Sequence, residues 1–230
     1  MKNLKDIILE RLHINKDTGN NHNYHPTTRD ELKELVDKLI KERGDEADLN
    51  DIDTSKITDM SKLFEKSSFN GYISKWDVSN VKDMTDMFLH SKFNGDISNW
   101  DVSNVKDMDS MFMGSEFTGK NGDISYWDVS NVEDMHAMFY SSEFNGDISN
   151  WDVSNVEDMS SMFYDSKFNR DISKWDVSNV KNMGHMFYGS SFTGDISEWD
   201  ASNVKDMNLM FNGTPLEENP PKWYKEYEAN

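Results

Sequence analysis

The sequence predicts an α/β solenoid of about seven 24-residue coils, each a short strand followed by a short helix, with a helical N-terminal cap. Three observations support this prediction: the regular spacing of the large apolar residues, the local pattern within one repeat, and two apolar helical stripes before the repeats begin. The expected organisation is a helical cap over residues 1–46, the repeats over residues 47–219, and a C-terminal capping segment over residues 220–230.

The repeat is visible in the aromatic residues, which recur every 24 residues apart from one interval of 27. We call the equivalent positions of successive units a column. One column holds all seven tryptophans: Trp76, Trp100, Trp127, Trp151, Trp175, Trp199 and Trp223. Two further columns hold the 13 phenylalanines: Phe64, Phe88, Phe112, Phe139, Phe163, Phe187 and Phe211, and Phe69, Phe93, Phe117, Phe144, Phe168 and Phe192. The longer interval contains residues 118–120, which we expect to bulge from a turn.

Each unit carries two local patterns. Residues 76–79 alternate apolar and polar side chains, as a half-buried strand does. The next apolar residues recur at the spacing of one helix face: Val81, Met84, Met87 and Phe88. Asn80 is a suitable N-cap for that helix. One unit cannot bury its apolar side chains alone, so we expect stacked units to share a continuous core.

Two helices are predicted before the repeats. The first has an apolar stripe of Leu4, Ile7, Ile8 and Leu12. The second begins with a capping box, Thr28-Arg-Asp-Glu31, and ends at Gly44. Its apolar residues follow helical spacing: Leu32, Leu35, Val36, Leu39 and Ile40. We expect both helices to pack on the open end of the first coil.

The composition excludes several classes of function. The chain has 43 acidic and 24 basic residues, and a net charge of −19 disfavours binding to nucleic acid phosphates. The absence of cysteine excludes disulfides and thiolate metal sites. No apolar run is long enough to span a membrane. The N-terminus lacks the uninterrupted apolar stretch of a secretory signal peptide, which leaves a cytoplasmic or phage-associated protein as an expectation.

Aspartate occupies three columns. The first follows the tryptophans: Asp77, Asp101, Asp128, Asp152, Asp176 and Asp200. The second lies in the middle of each unit: Asp83, Asp107, Asp134, Asp158 and Asp206, with Asn182 in the remaining unit. The third precedes the isoleucines: Asp96, Asp123, Asp147, Asp171 and Asp195. We interpret them as residues that hydrogen-bond turns and helix N-termini. The alternative is Ca²⁺ held between adjacent loops, although the glycine–aspartate nonapeptide of such repeats is absent.

No catalytic residue, metal ligand or cofactor is predicted. The carboxylates recur evenly along the chain, whereas an active site would more naturally interrupt the repeat. The sequence contains no nucleophile elbow, no P-loop and no dinucleotide fingerprint. We therefore expect a protein that is not an enzyme.

The candidate binding residues come from the differences between units. The inward positions barely change, while the outward ones vary freely. One varied column is apolar and contains Leu89, Met113, Tyr140, Tyr164 and Tyr188. We call it the apolar stripe, and an exposed row of this kind is typical of a contact surface. A second varied column, just before the tryptophans, contributes Tyr126. The alternative is that these side chains only cover neighbouring coils.

The repeated motif Trp-Asp-Val-Ser-Asn-Val-x-Asp-Met-x-x-Met-Phe, followed by Ser-x-Phe-Asn-Gly-Asp, resembles the BspA-type leucine-rich-repeat surface proteins. The resemblance covers about residues 49–211. It implies a leucine-rich-repeat-like solenoid, a location at the bacterial cell surface or outside the cell, and adhesion or protein binding. It implies no catalytic residues.

The expected function is therefore a recognition or adhesion module that binds a protein or a glycan along one face of the repeats. Two alternatives remain open at this point. The charge suggests an acidic cytosolic or phage-encoded decoy that binds a basic protein, and the aspartate columns suggest a Ca²⁺-stabilised structural rod. The sequence does not indicate an oligomeric state.

Overall fold

The structure is a computed structural model that describes residues 22–229. It contains two helices, α1 (Arg29–Arg43) and α2 (Lys222–Glu228), which lie at opposite ends of the described chain. The helix predicted around Leu4 to Leu12 lies outside the described residues.

The second helix predicted before the repeats is observed as α1, and its ends are explained by capping. The hydroxyl of Thr28 accepts the backbone N–H of Glu31 at 3.2 Å. The Glu31 carboxylate accepts the N–H of Thr27 at 2.8 Å rather than that of Thr28, so the capping box is shifted by one residue on one side. Gly44 ends the helix at φ 89°, and its N–H donates to the Ile40 carbonyl.

The buried side of α1 covers the first coil. Four of its side chains belong to the same apolar core as the repeats: Leu32, Leu35, Val36 and Leu39. The segment before α1 also pairs with that coil, since Tyr24 forms a parallel bridge with Ile52. The N-terminal end of the stack is thus covered by one helix and one short paired segment.

The predicted α/β strand–helix solenoid is wrong. Between α1 and α2 the described chain forms turns, bends and isolated bridges, with no helix and no strand. The leucine-rich-repeat-like coil implied by the resemblance is wrong for the same reason. Successive coils are instead joined by single parallel bridges within the second aspartate column: Asp59–Asp83, Asp83–Asp107, Asp107–Asp134, Asp134–Asp158, Asp158–Asn182 and Asn182–Asp206.

The expected helix is replaced by what we call the turn segment, residues 83–91 and their equivalents in other coils. Alternate N–H groups of this segment donate to carbonyls of the following coil at 2.8–2.9 Å: Met84 to Asp107, Asp86 to Asp109, Phe88 to Met111 and His90 to Met113. The intervening N–H groups close tight turns: Met87 to Met84, Leu89 to Asp86 and Ser91 to Phe88. Turns that close over three residues return side chains to one side at spacings of three and four, which explains the helix-like pattern.

Two residues of each turn segment have a positive φ. In residues 83–91 these are Asp86 at 55° and His90 at 52°, each the third residue of a turn. A positive φ at this position is what type II turns require, and for residues other than glycine it costs about 1–2 kcal/mol. The equivalent of His90 is glycine in three coils: Gly114, Gly189 and Gly213.

The columns of large apolar residues form one continuous core, as the packing interpretation expects. Neighbouring rings of the first phenylalanine column lie 5.4–6.0 Å apart between centroids and are nearly parallel. Six of them, all except Phe211, also stack on the second phenylalanine of their own coil at 4.1–4.9 Å. Aromatic pairs in such offset arrangements add about 0.5–1.5 kcal/mol to the free energy of burial.

The tryptophan column joins each coil to the preceding one. The indole N–H of Trp151 donates to the carbonyl of Ile124 at 3.0 Å, and the other six tryptophans make the equivalent bond at 2.9–3.2 Å. The same Ile124 carbonyl accepts the backbone N–H of Trp127 in its own coil. The largest core side chain therefore has a satisfied polar group and also fixes the register between coils.

The polar columns serve turns and coil junctions. In all three aspartate columns, Oδ1 of the aspartate, or of Asn182, accepts the N–H two residues later at 2.7–3.1 Å. The helix-cap role expected for Asn80 is wrong, because no helix follows it. Its side-chain N–H donates to the Ser55 carbonyl of the preceding coil at 2.8 Å, and the equivalent asparagines do the same.

We predict that Trp151→Phe lowers the free energy of unfolding by about 1–3 kcal/mol, because it removes a buried hydrogen bond and leaves a small cavity. Urea unfolding followed by circular dichroism measures the change. Trp223→Phe is the matched control: it removes the same bond at the end of the stack, where the ring is only partly buried. An equal decrease in the free energy of unfolding for both variants would contradict the larger contribution expected from the buried hydrogen bond of Trp151.

A second prediction concerns the positive φ of Gly189, which is 65°. A β-carbon at this position would meet no atom closer than 3.8 Å, so backbone strain dominates any substitution. We expect Gly189→Val to lower the free energy of unfolding by about 1–2 kcal/mol and Gly189→Asn to lower it less, since asparagine tolerates this conformation. Equal destabilisation by the two variants, measured by thermal unfolding, would contradict the turn geometry.

Candidate binding face

The structure brings five of the six candidate binding residues together. Leu89, Met113, Tyr140, Tyr164 and Tyr188 occupy equivalent positions in successive turn segments, and each is half-buried. Their carbonyls accept N–H groups of the preceding coil, so adjacent members are held one coil apart. Tyr126 lies in a different part of the unit, beside Trp127, and is 88% exposed. The apolar stripe is thus one surface, and Tyr126 is separate from it.

The three tyrosines of the stripe stack on one another. Tyr140 and Tyr164 have ring centroids 4.5 Å apart and planes 8° from parallel, and Tyr164 and Tyr188 follow at 4.8 Å and 9°. Both faces of the Tyr164 ring are therefore covered by neighbouring rings. What the stack presents to solvent is a row of ring edges and phenolic hydroxyl groups.

The hydroxyl group of Tyr164, the central member of the stack, remains protonated. Partial loss of water around Tyr164, followed by the proximity of Tyr140 and Tyr188, raises the pKa of its phenol above the ordinary value of 10.0. The Tyr164 phenol can therefore both donate and accept a hydrogen bond at neutral pH. His185 lies beside the stack, with its ring centroid 6.0 Å from that of Tyr188 and 6.4 Å from that of Tyr164.

A charged groove of about 430 Å³ crosses the coils at another part of the turn segments, and sequence reasoning missed it. Its rim follows one column in the order Lys106, Glu133, Glu157 and Lys181. Each lysine pairs with the adjacent glutamate: Lys106 with Glu133 at 2.6 Å and Lys181 with Glu157 at 2.5 Å. The signal in the sequence is a pair of glutamates, Glu133 and Glu157, flanked by Lys106 and Lys181 in the same column. The exposed pairs contribute at most about 1 kcal/mol each.

The second aspartate column lies deeper in this groove. Burial raises the pKa of Asp134, and the nearby carboxylates of Asp107 and Asp158 raise it further. Asn182 reduces the repulsion between carboxylates at one end of the groove, because it is uncharged and its side-chain N–H donates to Asp158 at 3.0 Å. Among residues 22–229, no three His, Asp or Glu side chains are placed to hold a metal ion.

Five exposed aspartates of the first and third columns remain charged. Hydrogen bonds from the serine two residues later lower the pKa values of these carboxyl groups: Asp147, Asp171, Asp176, Asp195 and Asp200. One oxygen of each is occupied by these bonds, and the turn thereby carries a fixed negative charge. The acidity of the chain is thus displayed along two columns outside the apolar stripe.

An ion pair on the turn segments provides a pH-dependent test. His136 Nδ1 lies 3.0 Å from Asp109 Oδ1, and this hydrogen bond raises the pKa of the imidazole above 6.5. Burial would raise the pKa of Asp109, but its hydrogen bonds from His136 and Ser110 outweigh it and leave the pKa below 3.8. The imidazolium contribution is complete below about pH 6.5 and is lost as the pH rises through the folded-state pKa of His136.

We predict that wild type is more stable than His136→Gln by up to about 1 kcal/mol at pH 5.5, with the difference shrinking between about pH 6.5 and pH 8.5. The pair is exposed, so solvent screening keeps the value small. Urea unfolding across this pH range measures it. The same comparison in an Asp109→Asn background is the control, in which the pH dependence should largely disappear; persistence there would contradict the pairing.

No helix in the described residues is both long enough and apolar enough to cross a membrane. Comparison with known protein families identifies a match to the repeats. The family model described as "Mycoplasma protein of unknown function, DUF285" matches residues 31–142 and again residues 113–223. No curated protein and no solved structure matches the chain. The two matches overlap and together span the observed helix α1 and nearly all of the repeats, and the chain therefore belongs to the DUF285 family.

Proposed function

We propose that this protein is a non-enzymatic recognition module that binds another protein through the apolar stripe. The observation that carries the proposal is the tyrosine stack at the centre of the stripe. Tyrosine is enriched at protein interfaces because it combines a large apolar ring with a hydroxyl group and loses little conformational entropy. The stripe is held on backbone that is hydrogen-bonded to both neighbouring coils, so it is organised before a partner arrives.

The geometry of the stack favours a protein partner over a glycan. Sugars pack on the open faces of aromatic rings, and both faces of Tyr164 are occupied by Tyr140 and Tyr188. Ring edges and hydroxyl groups suit a partner that offers apolar side chains and backbone or side-chain polar groups. The resemblance to BspA-type surface proteins, some of which bind proteins, is consistent with this proposal.

Substitution of the stack tests the proposal. The triple variant Tyr140→Phe, Tyr164→Phe and Tyr188→Phe keeps the stacked rings and removes the hydroxyl groups. We expect its thermal unfolding to resemble wild type, and its capture of the partner by quantitative pull-down to fall about tenfold, since each lost interface hydrogen bond costs about 0.5–1.5 kcal/mol. Tyr126→Ala, on the separate exposed position, is the control and should leave capture unchanged.

Two further treatments make the test decisive. Protease treatment of the captured material should abolish binding, whereas glycosidase treatment should not. Unchanged capture by the triple phenylalanine variant, together with unchanged capture by a triple alanine variant that still folds, would rule out the stripe as the binding face.

A second candidate function rests on charge. Serine hydrogen bonds lower the pKa values of exposed aspartates such as Asp171 and Asp176 and keep their carboxylates ionised, and the net charge is −19. A decoy that binds a basic protein would use these aspartates rather than the stripe. Its binding should weaken steeply between about 50 mM and 500 mM salt, whereas binding through the stripe should change little. The same pull-down at two salt concentrations separates the two functions.

A further inference from the structure

The coils are joined by a repeated set of directional hydrogen bonds. At every junction, four alternate N–H groups of one turn segment donate to carbonyls of the following turn segment. In residues 158–166 the donors are Met159, Ser161, Phe163 and Asp165, and the acceptors lie in residues 182–188. Each turn segment therefore has an edge of N–H groups that the next coil covers.

The last turn segment, residues 206–214, has no following coil among the described residues. The N–H groups of Met207, Leu209 and Phe211 have no hydrogen-bond acceptor within residues 22–229. The fourth donor, Gly213, is satisfied by the carboxylate of Glu217 at 2.9 Å. Glu217 thus replaces the missing coil at one position and leaves the other three N–H groups without an acceptor.

Helix α2 seals the core beside this edge and leaves the turn segment exposed at Leu209. Tyr224 packs edge-on against Phe211, with ring centroids 4.9 Å apart, and is 5% exposed. Leu209 lies on the turn segment itself and is 49% exposed. The equivalent residues of the other coils are small or polar, so a large apolar side chain at this position distinguishes the last turn segment. A groove of about 730 Å³ remains between α2 and the turn segment, lined by Asn208, Leu209, Tyr224, Tyr227 and Glu228.

We propose that this groove binds an extended, basic segment of another protein, which takes the place of the next coil. Backbone carbonyls of the bound segment accept the N–H groups of Leu209 and Phe211, as the next coil does at every internal junction. An apolar side chain of the segment packs on Leu209 and Tyr227. A lysine or arginine of the segment pairs with Glu228, the only charged side chain that lines the groove.

The charge and the opposite end of the stack argue for another protein rather than a second copy of this chain. Two copies would each carry a net charge of −19. The carbonyl edge that a second copy would have to offer belongs to its first turn segment, and α1 occupies part of that edge. The side chain of Arg29 donates to the Ser61 carbonyl at 2.9 Å, which is one of the acceptor positions in that edge.

The first measurement is amide hydrogen exchange of the free protein by NMR. We expect the amides of Leu209 and Phe211 to exchange at least about a hundredfold faster than those of Ser161 and Phe163, their equivalents at an internal junction. Slow exchange of Leu209 and Phe211 in the free monomer would show that the edge is already covered and would overturn the proposal.

The second measurement uses a synthetic peptide that copies residues 158–166 with the changes Asp158→Lys and Asp165→Lys. We expect it to slow exchange at Leu209 and Phe211 and to shift their NMR signals. The unchanged acidic copy should bind at least about fivefold more weakly, because Glu228 then faces a carboxylate. Perturbation elsewhere on the protein with no effect at these amides would overturn the proposal.

Matched variants locate the site. Leu209→Glu places a carboxylate over the groove and should weaken peptide binding about tenfold or more, while Ser161→Glu, at the equivalent internal position, should leave it unchanged. Equal weakening by both variants would contradict the site. Substitutions in the apolar stripe should not affect binding of this peptide, so the proposal for the groove and the proposal for the stripe are tested independently. Concentration-dependent self-association in sedimentation that Leu209→Glu abolishes would assign the edge to a second copy and overturn the proposal.

Discussion

Every coil of this protein depends on its neighbours for the hydrogen bonds of its own backbone. The turn segments contain no helix and no strand, so half of their N–H groups can be satisfied only by the following coil. The tryptophan indoles and the asparagine side chains bond to the preceding coil in the same register. A shift of one residue between two coils would leave the buried backbone and indole N–H groups unpaired and would misalign the stacked phenylalanines, which is why the repeat period is kept.

The composition of the core was predictable, and the local structure was not. A fixed period of large apolar residues indicates stacked units whatever their backbone, and α1 follows from the caps at Thr28 and Gly44. The prediction of a helix was wrong although the apolar spacing is helical, as in Val81, Met84, Met87 and Phe88. Tight turns and a helix both return side chains to one side at intervals of three and four. Two features distinguish the turns from a helix. The N–H of Met84 donates to a carbonyl of the next coil, and Asp86 has a positive φ, which an aspartate in the sequence does not indicate.

The candidate site was predictable to a similar degree. Variation within one column identified the apolar stripe, because members of a column must be neighbours in a stack. The same reasoning could not show that the tyrosine faces cover one another, which depends on side-chain rotation. It also missed the groove beside Lys106 and Glu133, since attention to apolar variation passes over a column in which the sign of the charge changes. Tyr126 was grouped with the stripe only because both positions vary, and variation alone does not place two columns on one surface.

The opposing directions of the bonds between coils have an electrostatic consequence. The turn segments donate toward the C-terminal end of the stack, whereas the tryptophan, asparagine and Lys82 donors point toward the N-terminal end. The dipoles of these donor groups therefore point in opposite directions on different parts of a coil, unlike the peptide dipoles of an α-helix, which all add along the axis. Lengthening such a stack by one unit adds bonds of both directions, so the field at its ends grows less than it would if all the bonds pointed one way.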